Sequence, residues 1–281
     1  MTGGKGVRIV SRTQLVEQGP AGETGWTGQQ RRQRGLLALL LASYALAAVG
    51  FVYLAPQYAA MGGSIPGTAL TRGQIALANA AIIPVIYGAA ALAGWWLAAR
   101  VPLPGIAAPH VTFGRWLQGP LLVGAVAGVA LALFEQVMQR GFAAPPIPHP
   151  EFPSSLLASY TAAVGEEILF RLLLLSLWAL LLAQVFKRFL SPDRSRGAAL
   201  AIANGIAALS FALSHLGTAM VLFGVTSPAQ LPAATWVELL VLNGVIGLLA
   251  GHHFMRSGLV AATGVHLGAD LIWHVVYGLV V

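Results

Sequence analysis

The feature of this sequence that most restricts its fold is a succession of long apolar runs. Each is close to the roughly 20 residues that an α-helix needs to cross the hydrocarbon of a bilayer. There are seven, approximately at residues 35–55, 75–99, 117–138, 155–186, 198–223, 235–254 and 258–281. Because backbone polar groups in lipid must be satisfied internally, such runs fold as helices. The sequence therefore predicts an all-α polytopic membrane protein, a bundle of about seven transmembrane helices.

The fifth and sixth runs are separated only by turn-forming residues. No charged residue occurs in 197–237, a stretch too long for a single span. We place the break at Gly224, Pro228 and Pro232, because glycine and proline interrupt helices. A re-entrant segment at this break would raise the helix count to eight.

Composition excludes other classes of protein. Of the 281 residues, 57% are hydrophobic and 9% are charged, whereas a soluble domain has about 25% charged residues. A soluble globular fold and a disordered chain are both excluded. The chain has no cysteine, so disulfides, thiolate metal ligands and cysteine nucleophiles are excluded as well. Any chemistry must use Glu, Asp, His, Ser or a bound metal.

The distribution of basic residues predicts the orientation in the cell membrane. With a cytoplasmic amino terminus, thirteen of the sixteen Lys and Arg residues fall in cytoplasmic segments, and only Arg72 and Arg140 fall on the other side. This bias follows the positive-inside rule and predicts a cytoplasmic basic tail at residues 1–34, which we expect to be flexible. Because the basic residues lie in connections and not on one folded face, the net charge of +7 does not indicate a nucleic-acid partner.

Several ionisable residues fall inside the apolar runs, where a charge costs at least a few kcal/mol and usually has a function. Glu167 and Arg171 are spaced i,i+4, so the arginine can neutralise this glutamate. Glu166 is rotated by about 100° on an ideal helix and is predicted to face another neighbour or a cavity. Glu135 and Glu238 lie near span ends, where we expect them to be solvated and without a function.

Histidines show a similar helical spacing in two other runs. His266 and Asp270 are spaced i,i+4 in the last run, and His274 is one turn further along. Phe211 and His215 are spaced i,i+4 in the fifth run, with Phe211 predicted to pack beneath the histidine. Three helices can therefore direct imidazole and carboxylate groups into the bundle, which predicts one shared site.

The order of these motifs resembles that of a known family. The motifs Glu166-Glu167-x-x-x-Arg171, Phe211-x-x-x-His215 and His266-x-x-x-Asp270 resemble the three motifs of the CAAX protease and bacteriocin-processing (CPBP, or Abi) intramembrane proteases. The resemblance covers residues 115–281 as the protease core and leaves 35–114 as two accessory transmembrane helices. The third motif of that family ends in Asn or Asp, so Asp270 is within its range.

This resemblance implies an intramembrane endopeptidase that acts on membrane-associated or prenylated (CAAX-type) substrates. The implied roles are water activation by Glu166 and His215, oxyanion stabilisation by His266 and Asp270, and support by Glu167, Arg171 and Phe211. The expected partners are the lipid bilayer and a peptide or protein substrate, with lipidated substrates included. The usual motifs of other membrane proteases, such as His-Glu-x-x-His and Gly-x-Ser-x-Gly, do not occur in the chain.

Metal dependence and two other functions stay open at the level of sequence. Glu166, His215 and His266 could form a three-ligand zinc site. We favour hydrolysis without a cofactor, because Glu167 is already matched to Arg171 and no other carboxylate in the motifs is an obvious base. A proton-coupled transporter would bury the same residue types, although the sequence shows no internal repeat. A non-catalytic immunity or scaffold membrane protein of the same fold is the other alternative.

Overall fold

The computed structural model describes residues 24–55, 70–109, 112 and 114–281, so residues 1–23 of the tail predicted at 1–34 lie outside the described residues. In these parts of the chain, seven helices are long and apolar enough to cross a membrane. They are α1 (Thr24–Leu54), α2 (Arg72–Ala98), α3 (Gly114–Phe142), α4 (Ser154–Phe186), α5 (Pro192–Leu222), α6 (Ala233–Ser257) and α7 (Leu259–Leu279). The predicted all-α bundle of seven transmembrane helices is confirmed.

The helix ends lie within a few residues of the predicted runs, except that α1 begins at Thr24 and α5 begins at Pro192. Helix α1 begins at Thr24, so Arg31, Arg32 and Arg34 lie in its first turns although they were expected in the tail at 1–34. A helix can extend beyond the hydrocarbon into water, because its backbone hydrogen bonds do not depend on the solvent. The apolar run from residue 35 therefore marked only the part of α1 that can lie in lipid. It did not mark the polar turns that precede this part.

The break between α5 and α6 lies where the sequence predicts it. Helix α5 ends at Leu222, and Gly224 adopts a positive φ of 64°, a conformation that favours glycine. A short 3₁₀ turn at Pro228–Gln230 follows, and α6 begins directly after Pro232. The connection is therefore a turn between two spans and does not form an eighth helix.

Helix α7 packs closely against α3 through small residues. A Cβ atom at Gly124 would collide with the carbonyl oxygen of Val265, and one at Gly128 would lie 2.7 Å from the carbonyl oxygen of Ala269. Glycine at these positions lets the two backbones approach, as in many membrane bundles. This contact positions α7, which carries the third motif, in the interior of the bundle.

Each of the three motifs lies at an irregularity of its helix. A π-helical segment at Ile168–Leu175 begins directly after Glu167, and another at Leu271–Val276 begins directly after Asp270. Helix α5 is interrupted at His215, between its parts Pro192–Ser214 and Leu216–Leu222. π-Helical turns occur frequently at functional sites because they change the direction of side chains.

Candidate active site

The predicted catalytic residues line one cavity of about 280 Å³ inside the bundle. Its polar groups are contributed mainly by Glu166, His215, His266, Asp270 and His274. Its walls are largely apolar, with Leu131, Ala158, Leu239, Leu242, Ile246 and Trp273 among the lining residues. The structure therefore brings the three motifs together at a single site that is apolar apart from a few convergent polar groups, as is usual for a binding cavity.

Glu167 and Arg171 form a fully buried ion pair beside this cavity. Arg171 Nε lies 3.1 Å from Glu167 Oε2, and both side chains are 0% exposed. The Arg171 guanidinium carbon is 4.5 Å from the centre of the Phe211 ring, a cation–π arrangement that partly compensates for its burial. These contacts agree with the predicted pairing of Glu167, the second glutamate of the first motif, with Arg171.

Glu167 also contacts the third motif, which sequence reasoning missed. His266 Nδ1 lies 2.9 Å from Glu167 Oε1, and since a carboxylate only accepts, the histidine donates this hydrogen bond. The two residues are far apart in sequence and meet only because α4 and α7 pack together. One carboxylate therefore holds both the arginine and the histidine in place.

Glu166 differs from its neighbour because it faces the cavity. Its side chain is 31% exposed, and its Oε2 atom lies 3.9 Å from His215 Nε2 and 3.8 Å from His266 Nε2. Both distances exceed that of a direct hydrogen bond. The Glu166 carboxylate is therefore near two imidazoles without a direct hydrogen bond to either.

A hydrogen bond within its own helix selects the tautomer of the neutral His215 ring. Its Nδ1 atom is 2.9 Å from the carbonyl oxygen of Phe211, and because a carbonyl only accepts, the neutral ring carries its proton on Nδ1. The lone pair of Nε2 therefore faces Glu166. The Phe211 ring packs edge-to-face on both imidazoles, with centroids 4.9 Å from His215 and 5.3 Å from His266, which extends its predicted packing role to two histidines.

His266 is 4% exposed and has its Nε2 atom 3.5 Å from Asp270 Oδ2. Because its Nδ1 donates to Glu167, its Nε2 carries a proton only when the ring is an imidazolium. The neighbouring Glu167 carboxylate favours that charge. A hydrogen bond donated by His266 into the cavity therefore depends on Glu167.

Glu135 and Glu238 are fully buried, which corrects the expectation that they are solvated. Glu135 Oε2 accepts a hydrogen bond of 2.6 Å from Trp273 Nε1, and this indole lines the cavity. The signal was present in the sequence, because Gly124, Gly128, Leu131 and Glu135 recur at helical spacing on the buried face of α3. Distance from the end of an apolar run was a poorer guide than this periodicity.

A second histidine contact joins the α3–α4 connection to α7 beside the cavity. His149, in the connection between α3 and α4, has its Nδ1 atom 3.3 Å from that of His274 on α7. Burial lowers the pKa of His149, which favours its neutral ring at pH 7. In a neutral pair one Nδ1 donates and the other accepts, so this contact joins the connection to α7.

The three candidate zinc ligands, Glu166, His215 and His266, line the same cavity, and Glu166 Oε2 lies 3.9 Å from His215 Nε2 and 3.8 Å from His266 Nε2. Zinc requires ligand atoms at about 2.0–2.2 Å from one point. Among the residues that the structure describes, no group of three or more His, Asp or Glu side chains is arranged to hold a metal ion.

Comparison with protein families finds a match. Residues 148–272 match a family model. Its description is Rce1-like, Type II CAAX prenyl endopeptidase Rce1-like, and the matched segment contains all three motifs. The predicted resemblance to CAAX proteases is confirmed. Together with the seven spanning helices, the Rce1-like match supports a multi-pass membrane protease. No curated protein and no solved structure matches the chain.

Proposed function

We propose that this protein is an intramembrane endopeptidase in which Glu166 is the general base and no metal takes part. The observation that carries the proposal is the convergence of the Glu166 carboxylate with the Nε2 atoms of two histidines in one membrane-embedded cavity. General bases must lie within reach of the proton that they remove, and Glu166 is the carboxylate that is both uncommitted and directed into the cavity.

The proposed reaction begins with a water molecule between Glu166 and the substrate carbonyl. The lone pair of His215 Nε2 accepts a hydrogen bond from this water and orients it, while Glu166 accepts its proton. The hydroxide formed adds to the carbonyl carbon, and negative charge develops on the carbonyl oxygen. His266, as an imidazolium, and Asp270 lie where they can stabilise this oxygen. Glu166 then returns the proton to the leaving amine as the peptide bond breaks.

Asp270 is proposed to act as a neutral hydrogen-bond donor, since an ionised carboxylate would repel the oxyanion. Asp270→Asn should therefore keep the cleavage rate within about tenfold of wild type, whereas Asp270→Ala should lose on the order of 10²–10³. The amide can donate, and Glu167 still holds His266 at Nδ1. Rates of both variants measured from about pH 5 to 9 check this expectation.

Two results would contradict the proposed role of Asp270. An Asn variant as inactive as the Ala variant would show that the negative charge itself is needed beside His266. An Ala variant as fast as wild type would remove Asp270 from the reaction.

Metal independence is proposed from the position of Glu166 beside the Nε2 atoms of His215 and His266. Cleavage by purified enzyme should be unchanged after exhaustive chelation, because Glu166 is the base and not a ligand. Metal analysis of the purified protein provides the second readout. Stoichiometric zinc together with loss of activity on its removal would overturn the proposal.

The orientation of the chain is also proposed here. We infer that the amino terminus is cytoplasmic in the cell membrane, because thirteen of the sixteen basic residues then lie on the cytoplasmic side. Helices α1 to α7 alternate in direction, so the connections α2–α3, α4–α5 and α6–α7 are cytoplasmic. The connections α3–α4 and α5–α6 are on the opposite side.

The substrate is proposed to be a membrane-associated peptide or protein. The resemblance to CAAX proteases implies that prenylated proteins are among the candidates. The experiment that tests the proposed function compares the terminal peptides of membrane proteomes, by mass spectrometry, between cells with wild-type enzyme and cells with Glu166→Ala. We expect a set of new protein termini that depends on Glu166. Identical sets of termini in the two strains would refute an endopeptidase function.

A further inference from the structure

The side from which substrate enters can be inferred from where the cavity opens. Beyond the catalytic groups, the lining residues include Ile147, Pro148 and Pro150 of the α3–α4 connection, Phe223 at the end of α5, and Thr235 in the first turn of α6. All of these residues lie at one end of the bundle. The cavity therefore opens at the end that carries the α3–α4 and α5–α6 connections.

The depth of the catalytic residues agrees with this opening. Glu166 lies twelve residues from Ser154, the first residue of α4, or about 18 Å at 1.5 Å per residue. It is twenty residues, or about 30 Å, from Phe186 at the other end of this helix. His215 lies only seven residues, or about 10 Å, from Leu222 at the end of α5. Both residues are closer to the end at which the cavity opens.

The two ends of the bundle differ strongly in charge. The end with the opening carries Arg72 at the start of α2 and Arg140 in the last turn of α3, and the α5–α6 connection contributes no basic residue. The opposite end carries Arg100, Arg115, Lys187, Arg188, Arg194, Arg196 and Arg256. Basic connections are retained in the cytoplasm, so the end with the opening faces away from it.

We infer that the active-site cavity opens to the non-cytoplasmic side of the membrane and takes its substrates from the outer leaflet. This inference rests on the proposed function. It restricts the proposed membrane-associated substrates to those that present a peptide segment outside the cytoplasm. A lipidated carboxyl terminus on a cytoplasmic protein lies on the wrong side to enter. The fitting substrate is a membrane-anchored protein that presents a peptide segment at its non-cytoplasmic end.

The surroundings of the opening define the chemistry of that segment. Among the described residues that line the cavity there is no Lys or Arg. Next to the lining residues in sequence, Phe152 is 55% exposed and Val221 is 80% exposed, so this end of the bundle presents apolar side chains on its surface. An apolar segment fits these walls, because a charged side chain that packs against them, away from the catalytic groups, would be desolvated.

The absence of native cysteine allows a direct test with single-cysteine variants. Ala229→Cys places a thiol in the α5–α6 connection, off the cavity wall, and Lys187→Cys places one at the opposite end. A membrane-impermeant maleimide should label Ala229→Cys in right-side-out vesicles and Lys187→Cys only in inverted ones. The reverse pattern would overturn the inference.

A third variant tests entry itself. Phe223→Cys lies on the cavity wall, and a bulky maleimide attached there from the outside should slow Glu166-dependent cleavage roughly tenfold or more, because the substrate cannot reach its reacting position. Labelled Ala229→Cys is the matched control and should keep the rate of the unlabelled protein. Equal rates for labelled and unlabelled Phe223→Cys would contradict entry at this opening.

The location of the cleavage sites separates failure of this inference from failure of the proposed function. If termini depend on Glu166 but lie in cytoplasmic segments of the substrates, the endopeptidase function stands and outer-leaflet entry is wrong. If no terminus depends on Glu166, the proposed function itself is wrong, whichever vesicles are labelled.

Discussion

Glu166→Gln should fold as stably as wild type and lose about 10²- to 10⁴-fold in peptide cleavage, the range that a general base contributes. The amide has nearly the shape of the carboxylate but cannot accept the proton of the attacking water. Stability should not change, because Glu166 is part of the cavity surface and both imidazole Nε2 atoms lie at least 3.8 Å from its Oε2 atom. No buried partner is left without its charge.

Purified protein in lipid nanodiscs allows both quantities to be measured on one preparation. Thermal unfolding gives the stability, and hydrolysis of a peptide that contains a mapped cleavage site gives the rate. Turnover retained by Glu166→Gln would exclude Glu166 as the base. A large loss of stability would show instead that this carboxylate is a structural group.

Substitutions of Glu166 also separate the endopeptidase from the other functions that the sequence leaves open. Proton-dependent uptake that survives in the cleavage-deficient variant would favour a transporter. A cellular phenotype that is unchanged by Glu166→Ala would favour a non-catalytic immunity or scaffold protein. Only an endopeptidase requires that one substitution of Glu166 removes both the new protein termini and the cellular phenotype.

The architecture of the bundle was predictable from the sequence because one physical requirement dominates it. Each span must bury its backbone polar groups in a helix and expose apolar side chains to lipid, so the length of each apolar run nearly fixes a helix. The turn at Gly224 and Pro228 was equally readable, because these residues disfavour a continuous helix. The i,i+4 contact of Glu167 with Arg171 followed from helical geometry alone.

The contacts between helices were not predictable in the same way. The hydrogen bond of His266 to Glu167 depends on how α7 packs against α4, and no local pattern specifies that packing. The π-helical segments at Ile168–Leu175 and Leu271–Val276 contain neither glycine nor proline, so nothing in their composition marks them. Sequence reasoning therefore named residues that line one cavity but missed the hydrogen bond between His266 and Glu167.

Glu167→Gln should destabilise the protein and also reduce cleavage. Glu167 and Arg171 are both fully buried, and removing one partner of a buried ion pair costs about 3–5 kcal/mol because the remaining charge stays desolvated. The glutamine can still accept a hydrogen bond from His266 Nδ1, but it no longer supplies the charge that favours the imidazolium. His266 then loses the proton on Nε2 with which it stabilises the oxyanion.

A second substitution separates these two effects. In Glu167→Gln/Arg171→Met the unpaired buried cation is removed, and apolar replacement of a buried pair is often neutral or stabilising. We expect the double variant to recover most of the lost thermal stability while cleavage stays low, because His266 still lacks its charged partner. A double-mutant cycle on both readouts measures this difference. Recovery of cleavage together with stability would show that Glu167 acts only through Arg171, and an unchanged stability of Glu167→Gln would show that the pair is not desolvated.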